Sequence, residues 1–108
     1  MTVLSEQEFR TKSVEALEDA RRALLPLADT GEGFEVELQN GVLNLVFEEP
    51  GDMKFVVSPN APVRQIWVSA MARSYKLGWA PELDAFALDG ETLPQLLERL
   101  ARTFLQSA

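Results

Sequence analysis

The middle of the chain alternates apolar and polar residues with period two, the spacing of a β-strand that buries one face. Residues 34–39 and 42–47 both follow this alternation and flank Asn40-Gly41, the typical two-residue loop of a β-hairpin. Such a loop places six apolar side chains on one face, as the pairs Leu38–Leu43, Val36–Leu45 and Phe34–Phe47. The sequence therefore predicts a hairpin with a single buried face.

Further strands are predicted in the second half of the chain. The third covers Met53 to Val57 and the fourth covers about residues 63–69, where Gln65-Ile66-Trp67-Val68-Ser69 has two distinct faces. Residues 71–74 are interpreted as a turn before a fifth strand, from Tyr75 to Trp79. A short sixth strand is predicted over residues 85–88.

Helical periodicity occupies both ends of the chain. Ser5 and Glu8 form a capping box, and Pro26 predicts that the first helix, over about residues 5–25, ends just before it. Its apolar stripe is Phe9, Leu17, Ala20, Leu24 and Leu27. Residues 89–92 are predicted to open the last helix, with Asp89 or Thr92 as its cap, and its buried stripe is Leu93, Leu96, Leu97, Leu100 and Phe104.

Two one-faced helices at the ends of a strand-rich chain require one apolar sheet face between them. The predicted fold class is α+β: a two-layer α/β sandwich in which an antiparallel sheet of five or six strands carries the N- and C-terminal helices on one face. Residues 1–108 form a single domain in this prediction. The opposite sheet face is left to solvent.

Trp67 is predicted to lie on that open sheet face. Ile66 and Val68 are the aliphatic pair of the fourth strand and should face the helices, so Trp67 points the other way with Gln65. An exposed tryptophan beside an amide is typical of an interface anchor. The alternative is that Trp67 only packs on neighbouring strand residues such as Val56.

Composition narrows the possible chemistry. The chain of 108 residues has a net charge of −7, no cysteine and no histidine. The charge argues against a nucleic-acid partner, and any metal would have to be held by carboxylates, which suit hard ions. The sequence contains no apolar run of the roughly 18 residues that a membrane span needs. It also shows no signal peptide, so a cytoplasmic protein is expected. A monomer is expected as well.

Charge is unevenly distributed along the chain. Residues 31–52 contain six acidic residues and no basic one, whereas residues 53–81 contain four basic residues and no acidic one. Glu35 and Glu37 project from one face of a strand, roughly 7 Å apart. Such carboxylates can hold a hydrated cation, or they can simply form a solvated surface. No nucleophile–base pair or glycine-rich phosphate loop is present, so we do not expect an enzyme.

Several segments resemble the frataxin family. Residues 60–69, Asn-Ala-Pro-Val-Arg-Gln-Ile-Trp-Val-Ser, are similar to the central frataxin signature around Gln-Ile-Trp. Residues 41–45 and 89–93 resemble the second strand and the start of the last helix of that family. The resemblance covers roughly residues 9–105 and implies the same helix–sheet–helix sandwich.

The resemblance implies an iron-binding accessory protein of iron–sulfur cluster assembly that docks on a cysteine desulfurase and its scaffold protein. Iron (Fe2+/Fe3+) would be held weakly by an acidic ridge, which maps to Glu15, Glu18, Asp19, Asp29, Glu32, Glu35 and Glu37. Partner-facing residues would be Arg64, Gln65, Trp67 and Arg73. Weak ferroxidase activity is implied by the resemblance alone.

Two arginines, Arg21 and Arg22, interrupt the ridge at the end of the first helix, where frataxins are usually dense in acidic residues. The strand carboxylates are therefore expected to be the better metal ligands. A second functional hypothesis remains open: a small acidic chaperone or adaptor that binds a client protein on its open sheet without a metal.

Overall fold

The structure is a computed structural model that describes residues 4–29, 34–48 and 52–106. Two helices enclose the strands in sequence order. Helix α1 spans Glu6–Asp29 and helix α2 spans Leu93–Leu105. The strands are β1 (Phe34–Gln39), β2 (Val42–Phe47), β3 (Met53–Asn60), β4 (Gln65–Ala70), β5 (Arg73–Ala80), β6 (Ala85–Leu88) and β7 (Glu91–Thr92). Neither helix in this part of the chain combines the length and apolar character needed to span a membrane.

The strands form one antiparallel sheet in the order β1-β2-β3-β4-β5-β6-β7. The predicted register of the first hairpin is confirmed, with Leu38 opposite Leu43, Val36 opposite Leu45 and Phe34 opposite Phe47. The predicted fold class is also confirmed, because both helices lie on the same side of this sheet. The sheet has seven strands rather than five or six, a small difference that arises at its end.

The additional strand lies immediately before α2. Residues Asp89 and Gly90, predicted to open the last helix, instead form a two-residue turn with φ angles of 52° and 82° between β6 and β7. Both residue types tolerate this left-handed geometry. Thr92 is the N-cap, and its backbone N–H donates to Gln95 Oε1 at 2.9 Å. Of the two caps considered from the sequence, Thr92 is therefore the one used.

Helix α1 continues through Pro26 to Asp29, although the sequence predicted its end near residue 25. Proline inside a helix removes one backbone hydrogen bond and costs about 3 kcal/mol. Pro26 itself is exposed, while Leu24 is buried and Leu27 packs against the core. Burial of these leucines continues the apolar stripe and offsets the local cost.

A single core fills the space between the sheet and the helices. Phe47 lies at the centre of its aromatic part, with ring centroids 4.9 Å from Phe34, 4.7 Å from Phe55 and 5.0 Å from Phe104. These four rings join β1, β2 and β3 to α2. Ser13 is the buried polar residue of the described core, and its hydroxyl donates to the Arg10 carbonyl at 3.1 Å.

The β4–β5 turn stores backbone strain. Met71 and Ala72 connect the strands with φ angles of 50° and 64°, a region that costs L-residues about 1–2 kcal/mol each. Replacing Ala72 by glycine should remove one of these costs while adding backbone entropy to the unfolded chain. We expect Ala72→Gly to raise the free energy of unfolding by about 0.5–1 kcal/mol. Urea denaturation measures it, and an unchanged or lower midpoint would contradict the expectation.

Candidate docking face and carboxylate sites

Strand β4 has one buried and one open face. Ile66 and Val68 are 0% and 1% exposed on the helix side, whereas Trp67 is 36% exposed on the other side. Trp67 therefore lies where the sequence predicted it, on the sheet face that the helices do not cover. The exposed 36% of Trp67 leaves part of a large aromatic surface available for a partner to bury.

Two polar groups hold the Trp67 ring on the open face. Its indole Nε1 donates to Gln65 Oε1 at 3.0 Å, two residues back on the same face of β4. The Lys76 ammonium lies over the ring, with Nζ 4.8 Å from the centroid. This is cation–π geometry. The indole, the amide and the ammonium together form a small amphipathic surface, which we call the docking face (Gln65, Trp67 and Lys76).

The sheet register explains the surroundings of Trp67. Its cross-strand partners are Ser58 on β3 and Lys76 on β5, whereas Val56 pairs with Ser69. Trp67 therefore lies between Ser58 and Lys76 on the two neighbouring strands.

Sequence reasoning missed Lys76. It assigned residues 71–74 to a turn, but only Met71 and Ala72 form the turn, and Arg73 already pairs with Ala70. A two-residue loop at Met71-Ala72 would have placed Lys76 opposite Trp67, so the register was the signal that could have identified it.

Arg73 does not flank Trp67 as expected from the resemblance. It pairs with Ala70, which is 1% exposed on the helix side of the sheet. Directly paired residues project from the same face of a sheet. The Arg73 side chain therefore projects from the face opposite Trp67, and it is exposed at the β4–β5 turn. The cation beside Trp67 is Lys76 instead.

Arg64 is held by the backbone next to the docking face. It caps a short 3-10 helix over Ala61–Val63 in a left-handed conformation with φ 54°. Its guanidinium donates to the Ala61 carbonyl and, through Nε at 3.3 Å, to the Leu4 carbonyl. These bonds tie the start of the described chain to the sheet, so Arg64 has an architectural role besides its position beside Gln65.

The carboxylates predicted on helix α1 divide into two groups. Glu18 is paired, at 2.6 Å with Arg21 and at 3.3 Å with Arg22. The hydrogen bond from Arg21 lowers the pKa of Glu18, so this carboxylate is ionised but already neutralised by two cations. Glu15 and Asp19 are exposed and line a cavity of about 260 Å³ between the helices and the end of the sheet.

That cavity also contains an ammonium and an aromatic wall. Lys12, Trp79 and Asp84 line it together with the two helix carboxylates. The Lys12 ammonium lies 5.5 Å from the centroid of the Trp79 ring, and Trp79 packs edge-on against buried Phe86 with centroids 5.2 Å apart. Lys12 therefore offsets part of the negative charge of the helix acids.

The strand carboxylates Glu35 and Glu37 are exposed on the open side of β1, opposite Val46 and Asn44 of β2. Asp29 is exposed at the last residue of α1. Glu32, also predicted as a ligand, lies outside the described residues. Within the described residues, no three acidic side chains approach closely enough to share one ion. The arrangement fits cation contact through one or two carboxylates rather than a preformed cage.

The protein is an α+β sandwich in which two helices cover one face of the sheet. The other face is open and carries the docking face, and the edge strand β1 is acidic. The chain belongs to the frataxin family: the family model for the frataxin-like domain matches residues 2–107. Similar proteins agree with this assignment.

Two curated relatives are named iron-sulfur cluster assembly protein CyaY. The one from Pseudomonas syringae pv. syringae is 34% identical over 71 residues, which cover 62% of this chain and 63% of that protein. The one from Cupriavidus metallidurans is 32% identical over 76 residues, covering 69% of this chain and 67% of the relative. This chain thus spans about two thirds of the length of each.

A solved structure of frataxin from Psychromonas ingrahamii has the same fold. It superposes with a TM-score of 0.64 at 16% identity, over 96% of this chain and 92% of that one. At this identity the similarity supports the fold alone.

Proposed function

We propose that this protein is an accessory protein of iron–sulfur cluster assembly that binds iron weakly and docks on a cysteine desulfurase–scaffold complex. The proposal is supported by its membership of the frataxin family and by relatives named for cluster assembly. The single observation that carries the docking part is the open-face position of Trp67, 36% exposed with Lys76 over its ring.

The docking face suits a protein partner for a physical reason. Nε1 of Trp67 is held by Gln65, and the Lys76 ammonium lies against the ring. The indole is therefore restrained before binding, which reduces the side-chain entropy lost on association. A partner that covers the ring gains apolar burial, and an acidic group on it would pair with Lys76.

In this proposal the weak iron sites are the strand carboxylates. Glu35 and Glu37 share an exposed strand face and form no ion pair among the described residues. Glu18 is occupied by two arginines, and binding iron there would require breaking those contacts. A hydrated hard cation can be held by one or two exposed carboxylates, with water as its other ligands.

Titration with Fe(II) without oxygen tests this assignment. In NMR spectra we expect broadening at the amides around Glu35 and Glu37. In the Glu35→Gln/Glu37→Gln variant the apparent affinity for Fe(II) should fall about tenfold, equivalent to roughly 1.4 kcal/mol. Glu18→Gln is the matched control and should leave the affinity within about twofold.

Two results would contradict the iron assignment. One is an unchanged Fe(II) response in the double variant. The other is an identical response to Mg(II), which would indicate non-specific attraction of cations. Partner binding without any specific Fe(II) response would instead favour the adaptor hypothesis. The proposal assigns regulation of partner enzymes to the chain and no reaction of its own.

A further inference from the structure

Strand β1 is an edge of the sheet. In the strand order it has β2 as its neighbour on one side, and no other described strand pairs with its outer side. An edge strand presents unpaired backbone N–H and C=O groups that can hydrogen-bond to another extended chain. In β1 this edge is six residues long, from Phe34 to Gln39.

The hairpin register identifies which backbone groups are free. In an antiparallel hairpin, hydrogen-bonded and non-hydrogen-bonded pairs alternate, and the pair that closes a two-residue loop is hydrogen-bonded. Gln39 and Val42 close this loop, so Glu37 and Glu35 also bond towards β2. The N–H and C=O groups of the intervening residues point outwards; these are Phe34, Val36 and Leu38.

The side chains along this edge have different chemistry on its two sides. Glu35 and Glu37 are exposed on the open side, while Val36 and Leu38 are half-buried on the helix side. Residues 31–52 contain no basic residue that could neutralise the two carboxylates locally. The edge therefore alternates negative and apolar surface with the period of a strand.

An apolar cleft adjoins the loop end of β1, between the sheet and α1. It has a volume of about 260 Å³ and is lined by Ser13, Val14, Leu17, Leu38, Gly41 and Pro59. Val14 is 67% exposed and adds an accessible aliphatic side chain to the wall of this cleft. The apolar side of the edge thus continues from Leu38 into the cleft.

We propose that the outer edge of β1 binds an extended segment of a partner protein in which basic and apolar residues alternate. The segment adds to the sheet as a further strand, and its backbone bonds to Phe34, Val36 and Leu38. Because its side chains also alternate with period two, its lysines or arginines face Glu35 and Glu37. Its apolar residues then cover Val36, Leu38 and the cleft.

A second copy of this chain is a poor occupant of the edge. Pairing two β1 edges would bring the carboxylates of one copy alongside those of the other, and like charges on neighbouring strands are destabilising. A basic segment has the opposite effect. The charge on the open side therefore selects a basic partner. This inference does not depend on desulfurase docking, which is assigned to β4 and β5. It does use the two carboxylates of the proposed iron site, so peptide binding is measured without iron.

Two synthetic peptides of identical composition test the proposal on the full chain. The first is Lys-Val-Lys-Val-Lys-Val-Lys; the second groups the same residues as four lysines followed by three valines. With the alternating peptide we expect NMR shifts in β1 and slower hydrogen exchange at the Val36 and Leu38 amides. The block peptide should bind at least about fivefold more weakly, because its side chains cannot match both sides.

Variants separate charge from backbone pairing. Glu35→Gln/Glu37→Gln should weaken the alternating peptide about tenfold in moderate salt. Glu82→Gln/Asp84→Asn removes the same charge from exposed positions near the other end of the sheet, and should change affinity by less than about twofold. An alternating peptide with N-methylated valines, which lack amide donors, should lose most of its binding if backbone pairing holds it.

Several outcomes would overturn the inference. They are equal binding of the alternating and block peptides, undiminished binding of the N-methylated peptide, or shifts that avoid β1. Dimerisation through β1 of the free protein in analytical ultracentrifugation would show that a second copy occupies the edge. Trp67→Ala should leave peptide binding unchanged; a loss in that variant would place the peptide on the docking face instead. Failure of desulfurase docking alone would not affect this result.

Discussion

Replacing Trp67 by alanine is expected to weaken binding to the proposed partner, a cysteine desulfurase–scaffold complex, by about 30-fold, equivalent to roughly 2 kcal/mol. The reason is that Trp67 provides the large aromatic surface of the docking face, already oriented by Gln65 and Lys76. The side chain is 36% exposed and its strand neighbours Ile66 and Val68 remain buried, so the variant should keep its fold. Isothermal titration calorimetry measures the affinity, and circular dichroism checks the fold.

Leu83→Ala is the matched control for Trp67→Ala. Leu83 is also a large exposed hydrophobic residue, 43% exposed, but it lies in the short 3-10 helix Pro81–Leu83 rather than on the docking face. Its truncation should change the affinity by less than about twofold. If Trp67→Ala binds the complex as tightly as the parent protein, the docking hypothesis is wrong. An equal loss in both variants would show that the contact is not specific to the open face.

Replacing Phe47 by alanine should lower the free energy of unfolding by about 3–5 kcal/mol, the largest stability effect that we expect in this protein. Phe47 is 1% exposed and contacts the rings of Phe34, Phe55 and Phe104 with centroids within 4.7–5.0 Å. Truncation removes the burial of a large ring and the edge and stacking contacts of three others. The cavity left between β2 and α2 adds to the cost.

Urea denaturation monitored by tryptophan fluorescence gives this change as a shift in midpoint. Val46→Ala is the control, since Val46 is the neighbouring β2 residue on the open face and is only half-buried. It should cost about 0.5–1 kcal/mol. Comparable losses in the two variants would contradict the placement of the aromatic cluster. If Phe47→Ala does not fold, Phe47→Leu should still cost more than Val46→Ala.

Local patterns determined much of the fold because their physical causes are short-ranged. The Asn40-Gly41 loop fixes the register of the first hairpin, and the alternation on both sides agrees with it, so the pairing was correct to the residue. The apolar stripes of the two helices likewise specified which sides they bury. Together these patterns required one sheet face for both helices, which is the observed sandwich.

Other features depended on interactions between distant segments. Pro26 is a local helix breaker, yet α1 continues because burial of Leu27 against the core supports it. Asp89-Gly90 read locally as the start of a helix, whereas pairing of β7 with β6 makes it a turn. Local sequence patterns could not predict these two features, because the stabilising contacts come from segments elsewhere in the chain.

For the candidate sites, the sequence by itself determined that Trp67 and Gln65 share a face and that the β1 acids lack a nearby base along the chain. Only the tertiary structure decided which cation lies beside Trp67: the register selects Lys76 and places Arg73 on the helix side. The pairing of Glu18 with Arg21 and Arg22 is local instead, because both arginines lie within one turn of Glu18 on the same helix. The physical reason is that periodicity fixes the direction of a side chain within its own element, whereas strand pairing and side-chain geometry across elements decide what it meets there.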